Sequence, residues 1–264
     1  MRKLFRKQVD EAPPLEGVWQ VPPRFNYTRD VVEAYAADPL YPALTYVDGN
    51  GVIDRRTFTE IAREANRWAA LLRSRGLAPG DRLLVFTART PTWVAILLGA
   101  LKGGFVVVPC SAGVQTGDLA WRAEDSGARL IVTDRERASA VAMMDVPLDV
   151  VIAEEVATEL RKTPILQPTH DTAAEDAAVI LYTSKAGGQM GITHTHGSTW
   201  AQRVPAEHWL EARPGDLVWC TAGPNGAESS WNLLFGPWGC GAELVIHEGS
   251  FEAEDRKSAC RERV

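Results

Sequence analysis

The sequence predicts an α/β fold in which a mostly parallel sheet is flanked by helices. Short apolar runs typical of buried strands recur along the chain, and segments with helical spacing of apolar residues separate them. Glycines and prolines mark most of the junctions. Strands that alternate with helices pair in parallel, with right-handed crossovers on both faces of the sheet. The 264 residues, with 45% hydrophobic content, are enough for a sizeable core.

The chain is predicted to begin with an irregular segment and then to form a hairpin. Prolines and charges dominate residues 1–29, which are expected to be a lead-in, and Asp30 is predicted to cap the first helix. An alternating strand over 43–47 meets the turn sequence Asp48-Gly-Asn-Gly51, which favours a hairpin. The domain itself is predicted to extend over residues 30–251.

The first long helix is the clearest element of the sequence. Thr57 and Glu60 form a predicted capping box at its start. Apolar residues then recur at helical spacing from Phe58 to Leu72, and Gly76 follows the last of them. The alternation continues with predicted strands over 82–87, 105–109, 129–133 and 148–152, and with predicted helices over 91–102, 116–127, 135–144 and 153–162.

An apolar run over 177–182 leads into a stretch of hydroxyl groups and glycines. The run is predicted to be a buried parallel strand, followed by a loop and by a helix that starts near Ser198. Glycines let backbone N–H groups close on an anion, hydroxyls donate further hydrogen bonds, and a helix N-terminus lies nearby. The junction therefore favours a polyphosphate site, and a plain glycine-rich connection is the alternative. A Walker A loop is excluded because no Gly-Lys-Ser/Thr follows at its spacing.

The remaining elements continue the alternation up to a charged tail. They are predicted as a helix over 198–210, a turn over 213–216, a strand over 217–221, a helix over 228–238 and a strand over 242–247. Eight of the thirteen residues over 252–264 are charged and show no apolar stripe, so this segment is predicted to be a disordered tail.

Composition and charge argue against several classes of function. The formal net charge of −6 argues against a nucleic-acid-binding surface. The longest apolar run, over 93–101, falls far short of the about 20 residues that span a bilayer. The four cysteines have wide spacings without a Cys-x-x-Cys pair, which predicts reduced thiols of a cytoplasmic protein and no metal site. Cys110 and Cys220 are expected near strand ends.

The glycine-rich stretch resembles the phosphate loop of the adenylate-forming enzymes, a family of acyl-CoA synthetases, aryl-CoA ligases, luciferases and peptide-synthetase adenylation domains. The resemblance is carried by Tyr182-Thr183-Ser184, by the glycines that follow, and by Gly191-Ile-Thr-His-Thr-His-Gly197. Further segments resemble that family in the same order at 57–60, 79–82, 95–103, 125–128, 217–222 and 231–238. The last two look like the acetyl- and medium-chain acyl-CoA synthetase branch. The resemblance implies the front part of that family's large N-terminal domain.

The resemblance also implies an activity. Family members use ATP to activate a carboxylic acid as its acyl-adenylate and transfer the acyl group to CoA, with Mg²⁺ as the metal. The implied phosphate-binding residues are Thr183, Ser184, Lys185, Gly187, Gly188 and Gly191, and the implied acyl-pocket positions are Asn225 and Gly226. No catalytic residue is assigned. His194 and His196 suggest an acid–base role, but the sequence gives them no partner, and a structural role in a loop or helix start is favoured. Asp216 and Glu228 could contact metal or substrate, but a turn acid and a helix-start acid are the simpler interpretations.

Several positions depart from the family pattern. Lys185 and Ala186 stand where Gly and Thr are usual, and Gly187 replaces a Thr. Met190 stands alone where the family has Pro-Lys, so the loop is one residue short and lacks its lysine. At the implied acyl pocket, Gly223-Pro-Asn-Gly226 replaces the Asp-Thr-Gly-Trp of the branch.

The later parts of the family's site have no counterpart before Val264. In the family, the adenine-binding loop, the ribose-binding acid and the C-terminal domain follow the segments matched here. The chain is therefore expected to be an incomplete acid–CoA ligase, weak or inactive alone. The alternatives are a non-catalytic relic that binds a nucleotide or a partner, and one half of a split ligase. An open sheet edge is expected to favour self-association or a complementing C-terminal half.

Overall fold

A computed structural model describes residues 20–111, 113–185, 188–220 and 234–248, and for residues 184, 185 and 188 it describes the backbone alone. The strands are β1 (Pro42–Val47), β2 (Ile53–Thr57), β3 (Arg82–Phe86), β4 (Val106–Pro109), β5 (Ala128–Thr133), β6 (Asp149–Ile152), β7 (Ala177–Lys185), β8 (Gly188–Thr195), β9 (Leu217–Trp219) and β10 (Glu243–His247). The helices are α1 (Thr28–Val32, a π-helical turn), α2 (Glu33–Tyr35), α3 (Phe58–Ser74), α4 (Pro91–Gly103), α5 (Thr116–Ser126), α6 (Ala138–Ala142), α7 (Ala157–Lys162), α8 (His196–Ala201), α9 (Arg203–His208) and α10 (Gly236–Gly239).

The described strands form two sheets where the sequence predicted one. The larger sheet has the order β6-β5-β3-β4-β7-β8, and its neighbours pair in parallel except for β7 and β8. The smaller sheet has the order β2-β1-β10-β9, in which the predicted hairpin of β1 and β2 is the antiparallel pair. The mostly parallel α/β fold is thus confirmed. The second sheet was missed because β1 pairs with β10, Leu44 opposite Leu244, and no local pattern reveals so distant a partner.

The main core packs α3 and α4 against apolar side chains from both sheets. Leu83 and Val107 enter it from the larger sheet, and Leu44 and Ile246 enter it from the smaller one. Helix α4 is buried along nearly its whole length, which explains why its sequence is apolar on all sides. The two helices approach closely at Gly99, where an added Cβ would lie 2.7 Å from the Cβ of Trp68.

A second core covers the other face of the larger sheet. Alternate residues of its strands, such as Leu84, Val108 and Ile131, pack there against side chains from α5 and α6. The central strands of the larger sheet are therefore buried on both faces, as predicted. None of the described cysteines forms a disulfide, and Cys110 follows the end of β4 directly. In the described residues, no helix is both long enough and apolar enough to cross a membrane.

The ends of the long helices follow the predicted signals. The Thr57 hydroxyl accepts a hydrogen bond from the N–H of Glu60, and the Glu60 carboxylate accepts one from the N–H of Thr57 at 2.8 Å, which completes the capping box of α3. Gly76 follows that helix with a φ of 85°. A left-handed φ of this kind is the usual way for a glycine to end a helix.

Residues 20–26 of the predicted irregular lead-in contain no helix or strand element, but the end of the lead-in is packed against the domain. Phe25 and Tyr27 are buried in the main core. The Asn26 side chain donates a 2.7 Å hydrogen bond to the carbonyl of Leu101, and the Tyr27 hydroxyl donates one of 2.9 Å to the carbonyl of Phe235. The two aromatic side chains follow the second proline pair and supply enough apolar surface to be buried. The domain boundaries themselves stay a prediction.

Three predicted helices are shorter than expected. The helix predicted over 135–144 is reduced to α6, because the Asp134 carboxylate accepts from the N–H of Arg137 and holds a turn there. The helix predicted over 153–162 begins at Ala157, after a turn. The helix predicted over 198–210 is divided into α8 and α9, since Pro205 lacks the N–H that would bond back to the preceding turn.

Candidate functional site

The predicted phosphate loop is largely a β-hairpin. Strand β7 continues to Lys185, and β8 returns antiparallel to it from Gly188. Thr183 pairs with Met190, Ser184 with Gln189 and Lys185 with Gly188. The expectation of a loop from residue 183 onward was wrong because the glycines and hydroxyl residues interrupt the apolar pattern without interrupting the ladder. Gly187 lies outside the described residues.

Of the predicted phosphate-binding side chains, Thr183 is described and is exposed to solvent. The backbone of Ser184, Lys185 and Gly188 lies in the ladder nearby. Gly191 has a packing reason to be glycine, since an added Cβ would lie 3.1 Å from two ring atoms of Tyr182. Contacts closer than about 3.4 Å would require the aromatic ring to move. Gly191 therefore leaves free the space that the Tyr182 ring occupies against the hairpin.

Tyr182 connects the hairpin to helix α5. Its hydroxyl donates a 2.7 Å hydrogen bond to the carboxylate of Asp125, and the Trp121 ring meets it edge-on with centroids 5.4 Å apart. Burial and the bond to Asp125 raise the pKa of Tyr182 far above its usual value, so the phenol stays protonated. The ring is therefore fixed between the strand pair and the helix.

A second contact between α5 and the hairpin is made by Arg122. Its Nε donates a 3.0 Å hydrogen bond to Oε1 of Gln189, and its guanidinium carbon lies 5.2 Å from the centroid of the Tyr182 ring. None of Arg122, Gln189 and Asp125 was predicted to be a site residue. On a helix, residues three or four apart share a face, so the Arg122–Asp125 pair was visible as a spacing, but nothing in the sequence indicated what that face would meet.

The two histidines of the stretch have structural surroundings. His196 begins α8 and is fully buried, and neither ring nitrogen has a hydrogen-bond partner in the described part of the chain. Burial lowers the pKa of His196 to about 4, so the ring is neutral at pH 7. His194 lies in β8, where burial also lowers its pKa. His196 is at a helix start, as expected, whereas His194 lies in a strand and not in a loop, and the structural role of each stays a prediction.

The other predicted site residues either lie in a turn or fall outside the described ranges. The Asp216 carboxylate accepts a 3.0 Å hydrogen bond from the N–H of Arg213, as expected of a turn acid. Asn225, Gly226 and Glu228 lie outside the described residues. Within the described ranges there is no group of three or more His, Cys, Asp or Glu residues that could hold a metal ion.

A cavity that the sequence did not indicate lies beside the carboxyl ends of β3 and β5. It has a volume of about 540 Å³ and is bordered by Arg67 of α3, Thr90 before α4, and Asp134 and Arg137 after β5. The Asp134 carboxylate accepts from the Arg137 guanidinium at 2.7 Å and from the N–H of Ala88 at 2.8 Å. Its acids and arginines are mixed, so this cavity has no clear preference for ligand charge.

Comparisons with known proteins agree on one family. Residues 32–263 match the family model described as AMP-binding enzyme. An uncharacterized acyl–CoA ligase of Bacillus subtilis, YtcI, is 30% identical over 243 residues, which cover 88% of this chain and 46% of that protein. The mitochondrial acyl-coenzyme A synthetase ACSM3 of Mus musculus is 26% identical over 249 residues, which cover 86% of this chain and 43% of that protein.

The fold is also similar to that of solved structures. An acyl-CoA synthetase from Brucella canis superposes with a TM-score of 0.86 at 19% identity, over 97% of this chain and 50% of that one. At this level of identity the superposition shows the fold alone. The chain spans about half the length of the curated relatives it matches.

Proposed function

Because this chain belongs to the AMP-binding enzyme family, we propose that it serves the ATP-dependent activation of a carboxylic acid as an acyl-adenylate, with transfer to CoA. The relatives above are described as an acyl–CoA ligase and an acyl-coenzyme A synthetase, which supports this reaction class. ATP, Mg²⁺ and CoA are the corresponding cofactors. Attack on the α-phosphorus concentrates negative charge, so cations and hydrogen-bond donors are what the protein must supply.

The observation that carries the proposal is the β7–β8 hairpin. It brings the backbone of Thr183, Ser184, Lys185 and Gly188, four of the predicted phosphate residues, to one end of a strand pair at the edge of the larger sheet. At that end the Thr183 side chain is exposed on one face of the hairpin, and the Arg122 guanidinium of the neighbouring helix lies against the other face, beside Gln189 and Tyr182. Of the two, the guanidinium is the group that binds phosphate strongly. The described residues contain no group that fits Mg²⁺, and we assign none to the metal or to CoA.

We propose further that the chain alone binds phosphate without completing the reaction. Its curated relatives are about twice as long, and the hairpin departs from the family pattern at Lys185, Gly187 and Met190. A complementing polypeptide or a second copy of the chain would be the partner. A cytoplasmic location, expected from the cysteines, stays a prediction.

The activity experiment is acid-dependent pyrophosphate release from ATP by the purified chain. With acetate, butyrate or benzoate as the acid, we expect no release above a control without protein. Clear release that depends on the acid would contradict the proposed inactivity of the chain alone and would establish the reaction class directly.

A binding experiment tests the site. Titrations with ATP, GTP and pyrophosphate should give weak binding with little preference among the three, because recognition rests on the phosphates. A Thr183→Ala, Ser184→Ala double variant should bind more weakly by about tenfold, as expected from the loss of two hydroxyl donors. A strong preference for ATP, or affinity unchanged in the double variant, would place the nucleotide site elsewhere.

A further inference from the structure

We propose that Arg122 and Gln189 form the anion-binding pair of this site, with Arg122 supplying the positive charge that holds a phosphate of a nucleotide or of pyrophosphate. The proposal rests on the proposed function and names two residues that carry it. Arg122 bonds Gln189 through Nε at 3.0 Å. Gln189 is the ladder partner of Ser184, so the guanidinium lies beside the end of the hairpin that carries the predicted phosphate residues.

The charge of Arg122 has no anionic partner among the described residues. The ion pairs of those residues do not include it. Asp125, one turn further along α5, instead accepts from the Tyr182 hydroxyl. The thiol of Cys110 is near the guanidinium, but burial raises the pKa of Cys110 to about 11, so this neighbour stays neutral at pH 7. A half-buried guanidinium without a counter-charge favours the binding of an anion.

The geometry holds the guanidinium ready for a bidentate contact. The bond from Nε to Gln189 and the Tyr182 ring 5.2 Å away restrict the side chain, and a guanidinium has more N–H donors than its contacts with Gln189 and Cys110 use. Gln189 accepts with Oε1, so its Nε2 amide group is a further donor beside the guanidinium. Arginine forks match phosphate oxygens in this way, and little rotamer freedom is lost on binding.

Calorimetric titration of the full chain with inorganic pyrophosphate at low salt tests the pair. Arg122→Gln should weaken binding by about 10- to 100-fold, the range for losing a hydrogen bond to a charged group. Arg122→Lys keeps the charge but loses the paired N–H donors of the guanidinium. Its affinity for pyrophosphate should lie between those of Arg122→Gln and the wild type. Gln189→Ala should weaken binding several-fold. The matched control is Arg75→Gln, since Arg75 follows α3 and forms an ion pair with Glu159. This variant should bind pyrophosphate with the wild-type affinity.

The outcomes separate this proposal from the proposed function. If the wild type binds pyrophosphate and the Thr183, Ser184 double variant binds it more weakly, but Arg122→Gln binds as the wild type does, the anion-binding pair is overturned and the phosphate site stands. If the wild type does not bind pyrophosphate at all, both are overturned. Circular dichroism checks folding. Should Arg122→Gln fail to fold, unchanged affinity in both Arg122→Lys and Gln189→Ala overturns the pair.

Discussion

At the scale of single residues, His196 places a titratable ring where water does not reach. The side chain is fully buried at the start of α8, and both ring nitrogens lack partners in the described part of the chain. Burial opposes the charged form, and the pKa in the folded chain is lowered to about 4 from an ordinary value of 6.5. A group whose folded pKa is depressed binds protons more readily in the unfolded chain. Acid therefore favours unfolding through this residue.

His196 predicts a window of acid sensitivity. Its contribution is fully present above pH 6.5 and is lost as the pH falls toward 4. Between pH 7.5 and pH 5.0 the free energy of unfolding should fall by about 2 kcal/mol through this group. In urea denaturation, the free energy of unfolding of His196→Leu should lack this decrease between the two pH values. The control is His208→Gln, because His208 is exposed. An identical pH dependence in wild type and His196→Leu would show that the ring is not the source.

Gly191 illustrates how far a residue-level prediction can go. The sequence placed it among the phosphate-binding glycines, which is a reasonable use of a residue without a side chain. The structure supplies a different requirement, because Tyr182 occupies the space of a Cβ. A glycine in a sequence indicates that a side chain would not fit or that a special backbone conformation is required. The sequence does not show which residue takes up the space, and here that residue, Tyr182, lies on the neighbouring strand. The same holds for Arg122, whose partner Gln189 is distant in the chain.

At the scale of elements, the predicted strands and helices of the first half lie close to the observed ones. Strands β3 to β6 and helices α3 to α5 carry strong apolar patterns with clear end signals, which local sequence is able to report. Strand β8 was missed because it has only two apolar residues, Met190 and Ile192, among glycines and polar side chains. Its strand conformation is imposed by pairing with β7, which is a tertiary effect.

The packing of α3 on α4 predicts a sharp effect at Gly99. An added Cβ would lie 2.7 Å from the Cβ of Trp68 and 2.8 Å from the carbonyl oxygen of Ala65, and a backbone atom of a buried helix cannot move aside easily. Gly99→Ala should therefore lower the free energy of unfolding by roughly 1–3 kcal/mol. Urea denaturation measures this.

The matched control for that substitution is Gly117→Ala in α5. No heavy atom lies within 4 Å of a Cβ added there, so the variant should be as stable as the wild type or slightly more so through better helix propensity. Equal stability of Gly99→Ala and wild type would mean that the two helices separate at little cost.

At the scale of the whole molecule, the larger sheet ends in an edge strand with exposed apolar side chains. Strand β8 has no partner beyond β7 among the described residues, and Met190 and Ile192 on it are exposed. Edge strands of this kind pair readily with other chains. We expect the purified protein to form dimers or larger assemblies at micromolar concentration, and sedimentation velocity measures their size.

A charge on that edge should reduce the association. Ile192→Lys should shift the sedimentation pattern toward the monomer, because an edge lysine resists strand addition. Leu166→Lys is the control, since Leu166 is exposed in a connection that belongs to neither sheet. A stable wild-type monomer, or equal effects of both variants, would count against association through β8.

The pairing of β1 with β10 has a consequence for how the protein is made. Leu44 meets Leu244 in that ladder, so the first strand leaves the ribosome long before its parallel partner exists. At about 5–20 residues per second, translation of the intervening segment takes roughly 10–40 s. During that interval the strands of the larger sheet as far as β7 can pair with one another, while one edge of the β1–β2 hairpin stays unpaired. Nascent chains should therefore bind chaperones through this hairpin until residue 247 has emerged.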